Sequence, residues 1–427
     1  MNIMVIGGGG REHAIVRALK RSDKVSCIYA LPGNGGIASE AICVPIAATD
    51  IERIEQFALD NRIDFAAVIP DDPLSLGLTD RLRSRGIRCF GPSAAAAKIE
   101  SSKAYAKDLM RRYGIPTAGY AVFDDRDDAV AYALKSALPV VVKADGLALG
   151  KGVAIAQTYD EAVAAIDSMM LAHRFGDSGR TVVIEEFLCG VEASLLTFTD
   201  GVTTVAMPAL MDHKRALDGD LGDNTGGMGA IAPNPHYTAA IADECMRRIV
   251  DPTVNALRAE GREFKGCLYF GLMLTADGPR VLEYNCRFGD PETQAVLPLL
   301  EGSLFDIMDA IEDGRLHEVA VSFSDKSSCC LVLASDGYPG SYHTGNPIAI
   351  RQEESPALQV FHAGTRLDNG ELLTSGGRVL GVTAIADSVP DAVSAAYAAA
   401  EHISFEGKYM RSDIGSRAID FYRKQGK

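Results

Sequence analysis

The chain has 427 residues, of which 47% are hydrophobic and 23% are charged. This length predicts about three domains, and the ordinary composition excludes a largely disordered or collagen-like chain. The chain has 42 Lys and Arg against 57 Asp and Glu, so its formal net charge is -15. That sign excludes a protein whose main partner is a nucleic acid, but it allows local sites for small phosphate compounds.

The nine cysteines form no C-x-x-C pair and no zinc-ligand spacing, so we expect free thiols in a reducing compartment. The N-terminus has no basic region before its short apolar run, and no long uninterrupted apolar stretch follows. We therefore expect a cytoplasmic protein that binds small molecules, with no membrane partner, as a monomer or small homo-oligomer.

Residues 2–92 alternate between apolar strand patterns and amphipathic helix patterns. This alternation predicts a Rossmann-like parallel sheet covered by helices on both faces. Ligands of such sheets collect at the carboxyl ends of the strands. Three loops fall there and are expected to share one crevice: GGGGREH at 7–13, PGNGG at 32–36 and PDDP at 70–73.

The glycine run from Gly7 to Gly10 follows a predicted strand, as in dinucleotide-binding proteins, but the rest of that fingerprint is missing. The third glycine position holds Glu12, and the second strand leads to Pro32 and Gly33 instead of an acidic residue. NAD binding is therefore disfavoured. Two interpretations stay open: a tight turn without a ligand, or a site for a single phosphate at the helix N-terminus.

The rest of the chain predicts two further units, so the fold class is multidomain α/β and α+β. Short strands and helices alternate in a compact α+β pattern inside the second unit, which we interpret as a mobile lid. The predicted domains are residues 1–100, 101–323 with the lid at 121–186, and 324–427.

The loop DGLALGKG at 145–152 is rich in glycine and joins two predicted strands. It lacks the four-residue gap and the Ser or Thr of a Walker motif, so it is not a P-loop. The amides of Gly150 and Gly152 and the ammonium of Lys151 are suited to fold over a triphosphate as a flap. A glycine-rich hairpin without a ligand is the alternative.

Two further lysines flank this loop. Lys143 lies in the apolar strand PVVVKA, where a charge is costly unless it meets an anion, and Lys103 begins the preceding helix. The strand VVIEEF then presents Glu185 and Glu186, with Glu192 six positions beyond. These carboxylates suit a nucleoside, although a solvated strand end is the alternative interpretation.

The segment RVLEYNCRFGDPETQ at 280–294 combines three kinds of polar side chain. In a strand, Glu283, Asn285 and Arg287 would share one face because side chains two apart point the same way. The two oxygen ligands suit Mg²⁺ or Mn²⁺, which take their other ligands from phosphates and water. The arginine would orient or neutralise a carboxylate or phosphoryl group. An exposed strand face is the alternative.

Together these motifs resemble the ATP-grasp superfamily and, within it, the phosphoribosylamine-glycine ligases, also called glycinamide ribonucleotide synthetases. The resemblance covers nearly the whole chain. The lysine flap and the VEYN-like strand are typical of the superfamily, whereas DHKR at 212–215, NTGGMG at 224–229 and NCRFGDPE at 285–292 are typical of this ligase family.

The resemblance implies a pre-ATP-grasp N-terminal domain, an ATP-grasp domain and a C-terminal α+β domain. It also implies a reaction in de novo purine biosynthesis. ATP, glycine and 5-phosphoribosylamine would give glycinamide ribonucleotide, ADP and phosphate through a glycyl phosphate. ATP would be the co-substrate, and Mg²⁺ or Mn²⁺ the cofactor.

The same resemblance implies roles for individual residues. Catalysis would involve Arg287, Lys143 and Lys151, and the metal ligands would be Glu283 and Asn285. ATP would be bound by Lys103, Lys143, Gly150, Lys151, Gly152, Glu185, Glu186, Phe187, Leu188 and Glu192. The other substrates would be bound by Gly9, Gly10, Asp71, Asp72, Asp212, His213, Lys214, Asn224, Thr225, Gly226, Gly227, Arg287 and Asp290.

The loop after the third predicted strand departs from the family pattern. A G-P-E-A-P-L-like sequence is typical there, but this chain has IPDDPL at 69–74, and Val191 replaces a second acidic residue beside Glu192. The altered loop motivates a second hypothesis, an ATP-grasp ligase for another carboxylate and another amine. A catalytically inactive nucleotide sensor is a third hypothesis, but it predicts missing phosphate or metal groups, and these are present.

Overall fold

The computed structural model describes residues 1–148, 152–172 and 174–425. These residues form an N-terminal parallel sheet, a small four-stranded sheet, a central antiparallel sheet and a C-terminal sheet, each packed against helices. This multidomain α/β and α+β architecture confirms the predicted fold class.

The N-terminal sheet has five parallel strands in the order β3-β2-β1-β4-β5. Its strands are β1 (Asn2–Gly7), β2 (Cys27–Pro32), β3 (Ile42–Cys43), β4 (Phe65–Val68) and β5 (Arg88–Phe90). Its helices are α1 (Gly10–Leu19), α2 (Ile51–Asp60), α3 (Asp71–Ser75), α4 (Leu78–Ser84) and α5 (Ala94–Ser101). The parallel sheet predicted from the alternating pattern is therefore present.

Two local differences from the sequence prediction have clear causes. The PDDP segment begins helix α3 instead of forming an open loop, because acidic residues and an early proline suit a helix N-terminus. The helix predicted from residue 101 is divided at Ser102, which ends α5 and caps the next helix by accepting a hydrogen bond from the Tyr105 amide at 3.1 Å.

The second unit begins with α6 (Lys103–Arg112) and contains an antiparallel sheet in the order β6-β9-β7-β8. Its remaining elements are β6 (Tyr120–Phe123), α7 (Arg126–Ala133), β7 (Val140–Ala144), β8 (Val153–Ala156), α8 (Tyr159–Met170) and β9 (Val182–Glu186). Helices α7 and α8 and this sheet share a hydrophobic cluster of their own. That separate core fits the predicted lid, whose exact boundaries stay a prediction.

The central antiparallel sheet has the order β11-β10-β16-β17. These strands are β10 (Val191–Thr199), β11 (Thr204–Ala206), β16 (Gly266–Thr275) and β17 (Gly278–Asn285). Between them lie β12 (Met211–Asp212), the hairpin β13 (Arg215–Leu217) and β14 (Leu221–Asn224), β15 (Gly229–Ala232), α9 (Ala239–Cys245), a π-helical turn (Met246–Val250) and α10 (Asp251–Ala259). The segment after β17 contains α11 (Glu292–Val296), β18 (Leu300–Glu301), α12 (Leu304–Asp313) and β19 (Ser322–Phe323).

The C-terminal sheet follows the order β12-β15-β20-β25-β22, with β27 also paired to β20. Its remaining strands are β20 (Ser327–Ser335), β22 (Leu358–His362), β25 (Arg378–Ala386) and β27 (Lys408–Tyr409). The other elements here are β21 (Ala349–Ile350), β23 (Thr365–Asp368), β24 (Glu371–Thr374), α13 (Val389–Glu401), β26 (Ile403–Ser404) and α14 (Ser416–Lys424). The predicted boundary at 323 therefore divides the chain between strands that share one sheet.

Two hydrophobic clusters join the N-terminal sheet to the central sheet. One contains Met4 and Ile6 together with Phe270, and the other contains Val5 together with Phe198. Alternate residues of β1 thus enter cores on opposite faces. Among the described helices, none is long and apolar enough to span a membrane.

A buried polar cluster joins the N-terminal and C-terminal parts. Glu40 Oε1 lies 3.1 Å from His13 Nε2 and 2.8 Å from the Arg17 guanidinium. The other His13 ring nitrogen, Nδ1, accepts a hydrogen bond from the His362 amide at 2.8 Å. Burial raises the pKa of Glu40, but hydrogen bonds and charges from His13 and Arg17 outweigh it and lower that pKa to about 2.

We expect Glu40→Gln to lower the free energy of unfolding by about 1–3 kcal/mol at pH 7, because two buried donors lose an anionic acceptor. The folded pKa lies below the usual value of 4.5, so this stabilisation is complete above pH 4.5 and is lost as the pH falls through about 2. Urea unfolding across this range should show the difference between variant and parent shrinking in acid. Glu371→Gln, at an exposed position on β24, is the control. A difference that stays constant with pH would contradict the assignment.

Candidate active site

The central sheet carries the polar residues of the candidate site on one face. Glu283 and Asn285 are two positions apart on β17 and pair with Gly271 and Tyr269 of β16, so their side chains share a face as the sequence predicted. Ser194 of β10 lies opposite Gly271, and its hydroxyl is 2.8 Å from that of Tyr269. Three adjacent strands thus line the floor of the site.

Glu283 is surrounded by positive charge. Lys214 Nζ lies 3.6 Å from Glu283 Oε1 and 3.4 Å from Glu192 Oε2. Burial raises the pKa of the Glu283 carboxyl, but neighbouring cations outweigh burial and lower this pKa to about 2. Those cations are, in order of effect, Lys214, Lys143, Lys103 and Arg287. Glu283 is therefore an anion at any physiological pH, which suits a ligand for a hard divalent cation.

Asn285 is held by a residue that the sequence analysis did not identify. Its Nδ2 donates to Glu100 Oε1 at 2.8 Å and to the Tyr284 carbonyl at 3.0 Å. Glu100 belongs to α5, and its side chain is 5% exposed. Both amide hydrogens of Asn285 have protein acceptors, so the amide oxygen is the atom left for a cation.

Arg287 lies just beyond the end of β17. Its guanidinium is 3.0 Å from Glu100 Oε1 and donates to the Phe288 carbonyl at 3.1 Å. Its Nε is buried and has no hydrogen-bond acceptor among the described residues. One buried donor of Arg287 is therefore left unpaired among the described residues, which costs free energy.

Lys143 meets its anion inside the protein. It lies in β7, where all five residues are buried, and its Nζ is 3.0 Å from Glu185 Oε1. The other carboxylate oxygen of Glu185 is 2.8 Å from Lys107 Nζ, on α6. Burial lowers the pKa of Lys107 to about 8, although the charge of Glu185 opposes this. Glu185 thus binds two lysines through its side chain, and a nucleoside would meet only its backbone.

Lys103 is the first residue of α6 and is fixed to the start of the predicted flap. Its Nζ donates to the Gly146 carbonyl at 3.0 Å, and its amide donates to the Asp145 carbonyl at 3.0 Å. Burial lowers the pKa of Lys103, while Glu283 opposes this effect. Two predicted flap residues, Gly150 and Lys151, lie outside the described residues, whereas Gly152 directly precedes β8.

The segment after β9 forms an exposed edge beside the sheet. Glu186 accepts a hydrogen bond from the Gly119 amide at 2.9 Å and pairs with Arg280 at 3.1 Å. Phe187 is partly exposed and Leu188 is half-buried. This arrangement leaves an exposed aromatic side chain, Phe187, at the end of β9, which suits a flat aromatic base.

The loop from Asn224 to Gly227 is fixed by the C-terminal sheet. Arg378 of β25 donates to the Gly226 carbonyl at 2.7 Å and to the Asp290 carbonyl at 2.7 Å, and it pairs with the Asp290 carboxylate at 2.9 Å. Thr225 Oγ1 donates to the Lys214 carbonyl at 2.9 Å. The predicted substrate residues in this loop are thus linked to one another and to β25.

The surroundings of His213 disfavour the substrate-binding role that the resemblance implies for its side chain. Its Nε2 accepts a hydrogen bond from the Gly415 amide at 3.2 Å, and its Nδ1 lies 3.2 Å from the Gly229 carbonyl. Burial lowers the pKa of His213 to about 4, so the ring is neutral. Since the backbone occupies both nitrogens and the side chain is buried, His213 supports the strand that carries Asp212.

Asp212 lies in β12 beside Lys214. Burial raises the pKa of the Asp212 carboxyl, and the nearby charge of Glu292 raises it further, while Lys214 opposes both. Glu292 is the last residue of the NCRFGDPE segment, and it is buried. The sequence analysis did not identify Glu292, because a single glutamate in an apolar helix pattern carries no signal of its own.

The N-terminal glycine loop approaches the same region, but its first amide is already used. The Gly9 amide donates to Glu12 Oε2 at 2.7 Å, forming a capping box that begins α1. This finding disfavours the single-phosphate interpretation, because the Glu12 carboxylate occupies the helix N-terminus. A Cβ on Gly9 would lie 3.6 Å from Asp290 Oδ2, and one on Gly10 would lie 2.6 Å from Gln294 Nε2. The two glycines therefore allow close packing against α11.

Asp71 and Asp72 occupy the first turn of α3. Partial burial and the charge of Asp71 raise the pKa of Asp72. The charge of Asp71 raises the pKa of Glu100 and that of Arg287, so the PDDP segment lies at the same end of the site as these residues. The third loop, PGNGG, contacts the glycine loop, since Asn34 donates to the Gly8 carbonyl at 2.9 Å. It also binds the C-terminal part: Gly35 donates to the Thr365 carbonyl, and Asn34 donates to the His362 carbonyl.

Within the described residues, no three His, Cys, Asp or Glu side chains are grouped to hold a metal ion by themselves. The floor of the site instead offers two oxygens, from Glu283 and Asn285, with several cations nearby. Such a site suits a hard divalent ion that takes its remaining ligands from phosphates.

Family models for phosphoribosylglycinamide synthetase match the chain in three consecutive parts. The N domain model matches residues 1–100, the ATP-grasp (A) domain model matches residues 101–293, and the C domain model matches residues 328–417.

Two bacterial relatives carry the name phosphoribosylamine–glycine ligase. The relative from Caldanaerobacter subterraneus subsp. tengcongensis is 47% identical over 97% of this chain and 100% of its own. The relative from Ralstonia nicotianae is 46% identical over 98% of this chain and 100% of its own. A bifunctional purine biosynthetic protein of Schizosaccharomyces pombe is 46% identical over 99% of this chain, which covers 54% of that protein.

Solved structures show the same architecture. Phosphoribosylamine–glycine ligase from Thermotoga maritima superimposes with a TM-score of 0.84 at 32% identity, covering 97% of this chain and 100% of that one. Biotin carboxylase from Campylobacter jejuni, in complex with an ATP analogue, gives a TM-score of 0.75 at 14% identity, covering 96% and 92%. The second similarity concerns the fold alone.

We expect Glu185→Gln to lower the free energy of unfolding by about 3–5 kcal/mol, because Lys107 and Lys143 would be buried without an anionic partner. Urea unfolding at neutral pH measures the change. Glu186→Gln is the matched control, since the adjacent side chain is half exposed and its ion pair with Arg280 is worth about 0–1 kcal/mol. Equal stability of the two variants would show that the buried pairs contribute little.

Proposed function

The chain belongs to the phosphoribosylglycinamide synthetase family, and from this membership we infer that it is an ATP-dependent carbon–nitrogen ligase of purine biosynthesis. It joins glycine to 5-phosphoribosylamine and releases glycinamide ribonucleotide, ADP and phosphate. The observation that supports this function is the similarity to ligases along nearly the whole chain. The matched region includes the floor of the site and the loop 224–229.

The proposed nucleotide site lies between the small sheet and the central sheet. Lys103 and Lys143 lie where they would neutralise phosphate charge, and the predicted flap residues Gly150, Lys151 and Gly152 would cover it. The segment from Glu185 to Leu188 would bind the base through its backbone and Phe187, and Glu192 would bind the ribose. The pairing of Glu192 with Lys214 at 3.4 Å would then be exchanged for hydroxyl contacts.

Glu283 and Asn285 fit a divalent ion, Mg²⁺ or Mn²⁺. Glu283 is ionised with a pKa of about 2, and both Asn285 amide hydrogens have protein acceptors, so each side chain presents an oxygen. When bound, the ion would withdraw charge from the β- and γ-phosphates. Lys214 is close enough to Glu283 to occupy part of this space in the absence of the ion.

In the first proposed step, a glycine carboxylate oxygen attacks the γ-phosphorus and the bond to the β-phosphate oxygen breaks, so that ADP leaves. Arg287, whose side chain is 20% exposed, would neutralise the carboxylate and later the acyl phosphate through its positive charge. Lys143 would neutralise charge on the transferred phosphoryl group.

In the second proposed step, the amine of phosphoribosylamine attacks the acyl carbon, loses a proton, and expels phosphate as the carbon–oxygen bond breaks. The amine substrate would approach from the side where Gly9, Gly10 and Asp290 meet, with the loop 224–227 above it. Asp71 and Asp72 would contact its ribose end. Asp212 and Lys214 would face the reacting groups, while His213 only supports them.

We further propose the domain boundaries 1–100, 101–323 and 324–427, with the lid at 121–186. The protein would be cytoplasmic, and it would be a monomer or a small homo-oligomer. The separate core of the small sheet supports a lid that moves as one body.

An ADP-release assay with purified protein tests the proposed function. The mixture contains Mg²⁺, ATP, glycine and phosphoribosylamine generated in situ, and each component is omitted in turn. ADP formation should require all four. ADP formed only with another amine or carboxylate would favour the second hypothesis, in which the altered PDDP segment accepts other substrates. Nucleotide binding without any turnover would favour a sensor.

We expect Glu283→Gln to raise the Mg²⁺ concentration needed for half-maximal activity by on the order of tenfold or more, because a neutral amide is a poorer ligand for a hard cation. Activity measured across a Mg²⁺ series at saturating ATP gives this value. Glu244→Gln, at a carboxylate of α9 paired with Arg248, is the control. An unchanged Mg²⁺ requirement in Glu283→Gln would exclude Glu283 as a ligand.

A further inference from the structure

We propose that Glu100 is a positioning residue that fixes the metal ligand Asn285 and the cation Arg287 in one arrangement. The proposal rests on the proposed function, since it assigns Glu100 through the roles of those two residues. Glu100 lies on α5, which belongs to the N-terminal part, whereas Asn285 and Arg287 end the central sheet. The carboxylate therefore joins two parts of the molecule at the reaction centre.

Three donors converge on the Glu100 carboxylate. Asn285 Nδ2 is 2.8 Å and the Arg287 guanidinium 3.0 Å from Oε1, while the Cys286 amide is 2.6 Å from Oε2. These donors come from consecutive residues of the chain. Hydrogen bonds to both carboxylate oxygens fix the rotation of the Glu100 side chain, which a single contact would not do.

The contact to Asn285 decides which end of its amide faces the ligand. Asn285 has one oxygen and one nitrogen of similar size, and only the oxygen binds a hard cation. Glu100 and the Tyr284 carbonyl take both hydrogens of Nδ2, so rotation of the amide by half a turn would set its oxygen against two acceptors. The charge on Glu100 thus excludes the orientation that cannot bind metal.

The contact to Arg287 decides how much of its guanidinium remains free. Glu100 and the Phe288 carbonyl each bind one terminal nitrogen, and the buried Nε is left without an acceptor among the described residues. Because Asn285 and Arg287 share the Oε1 atom, a displacement of one side chain alters the position of the other. Metal binding and the stabilisation of the acyl group are coupled through this atom.

Glu100 is also two residues from Ser102, where α5 ends and α6 begins with Lys103. The carboxylate and the phosphate-binding lysine therefore lie on either side of a single helix break. Movement of this break would shift Lys103 and the Asn285–Arg287 pair together. The groups proposed to bind phosphate, metal and the acyl group would then keep their relative positions.

The test uses Glu100→Gln, which keeps the shape of the side chain. The amide of the new side chain has one oxygen, which can face either the Cys286 amide or the Asn285 and Arg287 donors, so in either orientation at least one of the three contacts becomes repulsive and the negative charge is lost. The Mn²⁺ affinity of the full chain with a non-hydrolysable ATP analogue is measured from the electron paramagnetic resonance signal of free Mn²⁺. We expect affinity to fall by on the order of tenfold, and turnover to fall at saturating Mg²⁺ as well.

The matched control is Glu55→Gln, which also removes a buried carboxylate. Glu55 is 4% exposed and pairs with Arg81 and Arg85, within the N-terminal part. If Glu100 has only a structural role, both variants should lose stability and keep the parent Mn²⁺ affinity. That result would overturn the proposal.

A second variant pair tests the coupling directly. Asn285→Asp places two carboxylates in contact when Glu100 is present, whereas in the double variant with Glu100→Gln the new amide nitrogen donates to the new aspartate. The double variant should therefore bind Mn²⁺ more tightly than is expected from the sum of the changes in binding free energy of the two single variants. Strict additivity would overturn the proposal.

If Glu100→Gln does not fold, Glu100→Asp replaces it, because its shorter side chain keeps the charge but loses contacts. A Glu100→Asp variant with the Mn²⁺ affinity of the parent protein would again overturn the proposal.

The Mn²⁺ measurement needs only the nucleotide analogue. A protein that fails the glycine and phosphoribosylamine assay but shows the expected loss of Mn²⁺ affinity in Glu100→Gln would contradict the substrate assignment and support the positioning role. A protein that passes the glycine and phosphoribosylamine assay but shows the parent Mn²⁺ affinity in Glu100→Gln would support the ligase reaction and exclude the positioning role of Glu100.

Discussion

The site depends on the burial of opposite charges against one another. A charge removed from water must be compensated nearby, and this molecule places each cation where a carboxylate already lies. Glu185 compensates Lys107 and Lys143, while Glu283 lies among four cations that lower its pKa to about 2. The sheets fix two of these positions, because Lys143 extends from β7 and Glu283 from β17, strands whose backbones are paired.

Much of this site could be predicted from the sequence because it follows local rules. The period of a strand placed Glu283 and Asn285 on one face of β17, and the cost of burying a lysine indicated that Lys143 meets an anion. The anion found beside it is Glu185, which the sequence analysis had assigned to the nucleoside. A lysine in an apolar strand indicates that an anionic partner is needed, but the strand pattern does not identify which carboxylate that partner is.

The residues that were missed share a different property: their roles depend on contacts between distant parts of the chain. Glu100 reaches Asn285 across 185 positions, and Arg378 reaches Gly226 across 152. Each is an ordinary charged residue in its own segment. The single-phosphate interpretation of the glycine run is disfavoured for the opposite reason, because the competing group, Glu12, lies only three residues from Gly9 and forms a local cap.

The pairing of β15 with β20 links the loop above the site to the C-terminal sheet. All four residues of β15 are buried, and β12 covers only its other side. A fragment ending near residue 323 would leave this strand with an open, apolar edge. Such edges recruit strands from other molecules, and the buried cluster that Met228 and Ile231 share with the C-terminal part would be lost as well, so the fragment would be prone to aggregation.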